Sequence, residues 1–537
     1  MTVEVSDLIG PQGARLRASH IRRYRVGFVS PVREGVAQVG EDWPDPLIPL
    51  PGCPDLPPDT LFPPEEQAQG LLDPDRLAPF WFTVHAPAQA PAGTYTGTLT
   101  FRAPTGVLEV PLSVKVFDFS LPRQWSLRAD TWFNMGEGFP EYYGSWCSPE
   151  ELTPLVRFMD TYRVTSQLSW LQMASLVEVS LEQDGSYAFD FSQLKPFYEI
   201  CLANGNWFSA NLSCYPGWGG HFAGVFGRRT KVLDKRTGET SLFPEQPLSQ
   251  EAVMETELWK AFWPAYERFL QENGWLDRCY LENCDEPPYG AANIDAPENL
   301  YLRKFHSALR ELAPGLRLFN YGMDPSPRYH QWAEEYVDAW GPNLSLLEES
   351  KEYLAEQTRQ GKPFVAYICG PGKRTLDRHV PGVLINEPAV DLRIMPWMVY
   401  KYGGAGVLYY SSNSWVGGAL QYVEKVPEQR WPAKRWNLGT AFGLGWFTYP
   451  APRMKAVYPS ARLENLRDGL EDYEYLAELE RRLPRASGAQ REQAQALLNL
   501  EPLVKNVLVW SQDPRDLRAR RAAIARALES LDRGAGR

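Results

Sequence analysis

Between about residues 126 and 444 the chain repeats one pattern, a short apolar run followed by an amphipathic helix. Strand-like runs fall at 126–134, 164–170, 207–215, 278–286, 316–322, 336–343, 363–370 and 404–413. Helical periodicity lies between them at 149–162, 192–204, 250–273, 297–312, 346–360 and 389–402, and several of these helices stop at a glycine (Gly205, Gly274, Gly361, Gly403), as a helix C-terminus favours. Eight strands alternating with helices predict a central (β/α)8 TIM barrel rather than an open doubly wound sheet. No GxGxxG or P-loop follows any of the strands, which counts against a nucleotide-binding fold.

The flanks read differently. Residues 79–119 alternate apolar with polar positions in three runs separated by Gly, Pro and Ala, which predicts an N-terminal antiparallel β-sandwich. The proline-rich stretch from Trp43 to Pro64 reads as an extended surface loop. From about Arg453 the chain is helical and charged, and it is expected to pack on the barrel, with Leu side chains and Trp510 buried and the arginines of 515–526 on a solvated face. The expected domains are 1–122, a sandwich; 123–450, the barrel; and 451–537, a helical C-terminal extension.

Composition excludes several function classes. A net charge of -11 argues against nucleic acid or an anionic membrane as partner. No run is long and apolar enough for membrane insertion, and the first residues lack the basic start and apolar core of a signal peptide, so a cytoplasmic location is expected. Six His form no HExxH, and seven scattered Cys form no CxxC pair, so neither a metal nor a disulfide framework is indicated, and no cofactor is expected. There is no GxSxG elbow and no Cys beside a His to act as nucleophile.

The chemistry concentrates at strand ends. In a barrel the functional groups sit at the carboxyl ends of strands, and here those ends carry Trp132 and Asn134, Trp170, Tyr215 with Trp218 and His221, and then Asp285 and Glu286. Later strands add Asn320, Tyr321, Asp324, Trp340, Tyr367, Tyr410, Asn413 and Trp415. Asp285 and Glu286 end an apolar run and are followed by Pro287 and Pro288, which forbid the strand from continuing. Adjacent carboxylates repel, so one tends to hold a proton near neutrality, the condition a general acid needs. Aromatic platforms with amides and carboxylates suit a sugar, which offers C–H faces and hydroxyl edges; an aromatic content of 13%, with 19 Trp, fits that use as well as core packing.

In its phrases Pro91-Ala-Gly-Thr-Tyr-Thr-Gly-Thr-Leu, Asp285-Glu286-Pro287, Asp391-Leu-Arg-Ile-Met-Pro-Trp, Tyr409-Tyr-Ser-Ser-Asn-Ser-Trp415 and Ser460-Ala-Arg-Leu-Glu-Asn-Leu-Arg-Asp-Gly-Leu-Glu-Asp-Tyr-Glu474, nearly the whole chain resembles glycoside hydrolase family 123 and related glycoside hydrolase domain proteins. The resemblance implies a sandwich joined to a barrel, a glycan or glycoside substrate, and a retaining exo-β-N-acetylgalactosaminidase activity assisted by the substrate's own acetamido group. An ordinary retaining glycosidase needs two carboxyl groups about 5–5.5 Å apart on either side of the anomeric carbon, an arrangement that suits consecutive residues poorly. Substrate assistance suits them better: Glu286 as acid/base, Asp285 holding the acetamido N–H, and Tyr321 as candidate for the acetamido oxygen. Trp415 or Trp340 is expected to face the sugar, while Arg393 either joins the pocket or pairs with a buried acid. Two alternatives stand beside this reading. One is a double-displacement glycosidase with Glu286 as acid/base and a distant nucleophile such as Glu387; the other is a carbohydrate-binding barrel without activity.

Overall fold

The structure, a computed structural model, describes residues 2–29, 43–53, 78–133, 147–167, 176–203, 206–211, 230–246, 248–282, 295, 297–321, 333–368, 374–375, 378–415, 443–451 and 456–535. The N-terminal region is built from two antiparallel sheets. Strands Thr2–Val5, Leu8–Ile9, Arg15–Leu16, Gly93–Ala103 and Gly106–Val116 form one; Ile21–Val29, flanked by Trp43–Pro49 and Phe80–Val84, forms the other. Val5, Leu8, Leu16, Tyr95 and Leu99 from the first sheet pack with Ile21, Phe82 and Val84 from the second in one apolar cluster, so the sheets meet face to face. The phrase around Tyr95 folds back on itself, with the phenol donating to the Pro91 carbonyl at 2.9 Å.

The reading of Trp43 to Pro64 as a surface loop is corrected over its first part. Trp43–Pro49 is a strand, antiparallel to Ile21–Val29, with Asp45, Leu47 and Ile48 buried. Its prolines are tolerated because it lies at the sheet edge, where a missing N–H breaks no ladder. Residues 54–64 lie outside the described residues.

Each of the eight expected strand runs contains one strand of the core: β1 (Arg128–Trp132), β2 (Thr165–Gln167), β3 (Phe208–Asn211), β4 (Cys279–Glu282), β5 (Arg317–Tyr321), β6 (Ala339–Gly341), β7 (Val365–Ile368) and β8 (Gly406–Tyr409). They form two four-stranded parallel sheets, ordered β2-β1-β8-β7 and β3-β4-β5-β6. Isolated parallel bridges, Trp340 to Phe364 and Asn343 to Tyr367, join β6 to the β7 edge. At the other seam Asn206, just before β3, donates to Thr165 of β2. No ladder joins β2 to β3 among the described residues, so a closed barrel is not seen there; the architecture is mixed α/β, with an antiparallel N-terminal region and a helical C-terminal one.

The helices between strands are α1 (Pro149–Asp160), α2 (Lys195–Ala203), α3 (Glu257–Glu272), α4 (Pro297–Leu312), α5 (Lys351–Arg359) and α6 (Val390–Tyr402). Ser148 and Glu151 start α1 with a reciprocal capping box. The expected single helix over 250–273 is two, because Thr256 accepts a hydrogen bond from Trp259 N and so caps a new start. Gly274, Gly361 and Gly403 take positive φ at helix ends, a backbone conformation that β-carbons penalise. A small sheet of Glu178–Leu181, Tyr187–Asp190, Thr230–Asp234 and Thr240–Phe243 is an addition the strand count did not anticipate.

After the core come α7 (Ala461–Arg482), α8 (Gly488–Leu498) and α9 (Pro514–Ala535). The α7 helix carries the phrase Ser460–Glu474 and buries its charges. Arg462 holds Asp45; Glu464 accepts from Thr83 at 3.0 Å and from Tyr162 at 3.2 Å; Glu474 accepts from Ser126 N at 2.7 Å and Ser126 Oγ at 2.8 Å. Arg462 and Glu464 therefore tie α7 to the second N-terminal sheet, and Glu474 ties it to the segment before β1. Leu517, Ile524, Leu528 and Trp510 are buried as expected, and Arg515, Arg518 and Arg526 are exposed. Arg520 and Arg521 depart from the solvated face: Arg520 donates to the Leu497 carbonyl at 2.8 Å, and Arg521 to Asp472 and Glu471 at 2.9 Å each.

Candidate active site

Side chains alternate along each core strand, so every second residue falls in one inner layer. That inner layer contains Tyr280, Phe319, Ala339, Val365, Tyr367 and Leu408, with Trp132 and Trp207 packed against it. Trp132 and Tyr367 occupy it near the carboxyl ends of β1 and β7, the ends on which a sugar site was expected. Below Trp132 the same face of β1 presents Asp130 and Arg128, both buried. Asp130 Oδ2 accepts from Arg128 Nε and from Gln167 Nε2, the latter at 2.8 Å. Arg128 in turn lies over the Trp207 and Phe319 rings, 5.5 and 5.3 Å from their centroids. Burial pushes the Asp130 carboxyl up to about 6, against the opposing pull of Arg128 and the Gln167 hydrogen bond.

This polar trio was not among the expected site residues. Its signal was present as Arg128-Ala-Asp-Thr-Trp132, a strand with charges on alternate positions where both faces of a parallel sheet should be apolar.

The loop after β8 is stitched to the carboxyl end of β1. Ser412 N donates to the Trp132 carbonyl at 2.8 Å, while the Ser412 carbonyl accepts from Phe447 N and Thr448 N at 3.0 Å each. Asn413 is fully buried and bridges to Trp446. Tyr410 stacks obliquely against Tyr409, with ring centroids 5.4 Å apart. Trp415 is 6% exposed and donates its indole N–H to the Thr448 carbonyl at 2.8 Å, so its ring is used to order this loop rather than offered as a platform.

Trp340 is a clear correction. It is fully buried, donates to Gln357 of α5 at 3.1 Å and meets Tyr353 edge-on, on the helix side of the sheet. Its neighbour Ala339 takes the inward position, and the period of two sends Trp340 outward. Arg393, of the two roles open to it, has the ion pair, with Nε 2.7 Å from Asp472 in a buried joint between α6 and α7. Asn320 and Tyr321 lie on β5, in register with Trp340 and Gly341. Asn134, Trp170, Tyr215, Trp218, His221, Asp285, Glu286 and Asp324 lie outside the described residues. Among the described residues no group of His, Cys, Asp and Glu could hold a metal ion, and no helix is long and apolar enough to cross a membrane.

Comparison with known proteins identifies the chemistry to which this frame belongs. No curated protein matches the chain. Among solved structures, a family 123 glycoside hydrolase from Clostridium perfringens, studied for glycolipid glycan hydrolysis, superposes with a TM-score of 0.60 at 15% identity, covering 99% of this chain and 89% of its own. An endo-β-1,4-mannanase from Thermotoga petrophila aligns at a TM-score of 0.34 and 11% identity, over 65% of this chain and 77% of that one, too distant to carry an argument. The family model for the glycoside hydrolase 123 catalytic domain matches residues 156–479, from within α1 to within α7. That span exceeds half of the chain and takes in β2 to β8, and on it the chain belongs to glycoside hydrolase family 123.

Proposed function

We propose that the protein is a retaining exo-β-N-acetylgalactosaminidase that works by substrate assistance. The observation that carries the reading is the position of Asp285-Glu286 within the matched family span, directly after β4 in the chain. Glu286 donates its proton to the leaving oxygen while the acetamido oxygen attacks the anomeric carbon, forming an oxazolinium ion. Asp285 accepts the acetamido N–H and balances the charge that develops on it. In the second half Glu286 takes a proton from water, which opens the oxazolinium ion with net retention. Substrate assistance of this kind is a recognised departure from the two-carboxylate pattern. Tyr321, at the end of β5, is the proposed partner of the acetamido oxygen.

The same reading closes β1 to β8 into a (β/α)8 barrel. It is supported by parallel strands that follow one another around the core in chain order, and by contacts at both seams between the two sheets. The two-carboxylate alternative gains no support from Glu387, whose carboxylate accepts from Leu384 N at 3.0 Å and so closes a local turn before α6. A glycolipid glycan is a reasonable class of natural substrate by analogy with the Clostridium perfringens enzyme.

The mechanism is tested with Glu286→Gln. General acid help is worth about 10²–10⁴-fold and matters least when the departing group is already a stable phenolate. Hydrolysis of alkyl glycosides should therefore fall by that factor, while the first step on dinitrophenyl substrates survives. Equal losses on both would remove Glu286 from the acid role.

A further inference from the structure

The strand Gly106–Val116 is an open edge of the first N-terminal sheet. It pairs with Gly93–Ala103 on one side and has no strand on the other among the described residues, and none of its residues is buried. Its even positions share a face with the sandwich core, against which Leu112, Val114 and Val116 pack. Phe80 and Phe82 of the second sheet reach Phe101, with ring centroids 5.2 and 6.4 Å apart. Leu108, the register partner of Phe101, nevertheless stays 61% exposed, and Val110 stays 37% exposed. A long apolar edge strand left uncovered is a template for pairing with another chain. Neighbouring bonds reveal which backbone groups it offers. Thr98 N donates to Ser6 Oγ at 2.9 Å and the Thr98 carbonyl accepts from Ser6 N at 3.0 Å, so Thr98 faces away from its register partner Pro111. The alternation of an antiparallel ladder then puts the N–H and C=O of Val107, Glu109, Ser113 and Lys115 on the open side, together with the Pro111 carbonyl. Pro111 therefore costs the existing ladder no hydrogen bond.

We propose that this edge is a homodimer interface, filled by a second copy of the chain whose Gly106–Val116 strand runs antiparallel to the first about a two-fold axis at Leu112. Charge selects the register. Glu109 and Lys115 are the charged residues of the strand and lie equally far on either side of Leu112, so this axis sets Glu109 of each copy opposite Lys115 of the other. An axis at Glu109 or at Lys115 would instead set like charges face to face, which is unfavourable across strands. With the axis at Leu112, Glu109 meets Lys115 and Pro111 meets Ser113, all open-side residues. That gives roughly six backbone hydrogen bonds, each half lacking only the donor that Pro111 does not have. On the core-facing side Leu108 meets Val116 and Val110 meets Val114, so the two exposed apolar side chains gain apolar neighbours. Pairing uses up this edge in both copies, so assembly through it stops at two. The inference is independent of the glycosidase reading.

Sedimentation velocity of the full chain over about 1–100 μM should show a concentration-dependent shift from the monomer to a species of twice its mass. Glu109→Lys alone, or Lys115→Glu alone, sets like charges opposite each other twice because of the two-fold symmetry, and should weaken the dimer about tenfold or more. The double variant Glu109→Lys with Lys115→Glu rebuilds both opposite-charge pairs and should dimerise to within about threefold of the wild type. Both positions are exposed, and thermal melting of each variant reports that it is folded. A wild type that stays monomeric across that range, leaving the edge to a strand of a different chain, would overturn the proposal. So would single variants that dimerise as well as the wild type, or a double variant no better than the single ones.

Discussion

Arg462, in the first turn of α7, holds Asp45 of the N-terminal sheet at 3.0 Å, with both side chains buried, although the two residues are 417 positions apart in the chain. The same guanidinium donates to the Val383 and Gly443 carbonyls at 2.8 Å each, and Tyr449 donates to Asp45 at 2.6 Å. One buried joint therefore links the N-terminal sheets, the loop before α6 and the segment from Gly443 to Tyr449.

Removing one partner of that joint should destabilise the whole molecule rather than one layer. Breaking a buried pair by deleting a single member typically costs about 3–5 kcal/mol, because the other charge stays buried and unpaired. Asp45→Ala should lower the midpoint of a single cooperative thermal transition. Two separated transitions, with the core melting at its original temperature, would show that the N-terminal region is not coupled to it.

Arg393→Ala should act on stability and leave substrate affinity alone. Its guanidinium pairs with Asp472, which also accepts from Trp397 at 3.1 Å and from Arg521 at 2.9 Å. Because Asp472 keeps Arg521 and Trp397, the loss should be smaller than for Asp45→Ala, about 1.5–3 kcal/mol by denaturant titration. A KM raised tenfold with an unchanged denaturation midpoint would instead return Arg393 to the pocket.

Gly469→Ala tests how closely α7 sits on α6. A β-carbon there would lie 2.5 Å from the Arg393 carbonyl oxygen and 3.0 Å from its Cα, and backbone cannot swing aside as a side chain can. Alanine favours a helix by about 1 kcal/mol over glycine, but overpacking costs about 1–3 kcal/mol. The variant should therefore be less stable by thermal melting; a gain would mean that the helices separate freely.

Asp130 makes stability depend on pH. Its folded-state value, about 6, lies above the ordinary carboxyl value because burial favours the neutral form. The contribution is therefore fully present below the unfolded value near 4 and is lost as pH rises through about 6, a swing of up to about 3 kcal/mol. Wild type should lose stability relative to Asp130→Asn across that window. Parallel pH profiles for the two would place the titration elsewhere.

The core was legible because its signals are local. Short apolar runs set between helices that stop at glycines marked all eight strands, and a glycine's positive φ is a property of three or four residues. What failed was long-range. Nothing near Pro44 and Pro46 shows that Asp45 awaits Arg462, so a buried edge strand read as a loop. Among the candidate site residues, strand ends were found but facing was not. A shift of one position decides whether Trp340 or Ala339 looks inward, and an aromatic at a strand end is equally at home packing on a helix. The phrase Ser460–Glu474 carries charges that α7 buries against the second N-terminal sheet and the segment before β1, which gives the phrase a structural role.

The most direct test of substrate assistance compares p-nitrophenyl β-N-acetylgalactosaminide with p-nitrophenyl β-galactoside, which carries a hydroxyl at C2 in place of the acetamido nucleophile. The wild type should cleave the first and leave the second essentially untouched, and Asp285→Asn should lose the first activity without gaining the second. Comparable kcat/KM on both substrates, abolished by Glu387→Gln, would contradict the account and establish an ordinary two-carboxylate glycosidase.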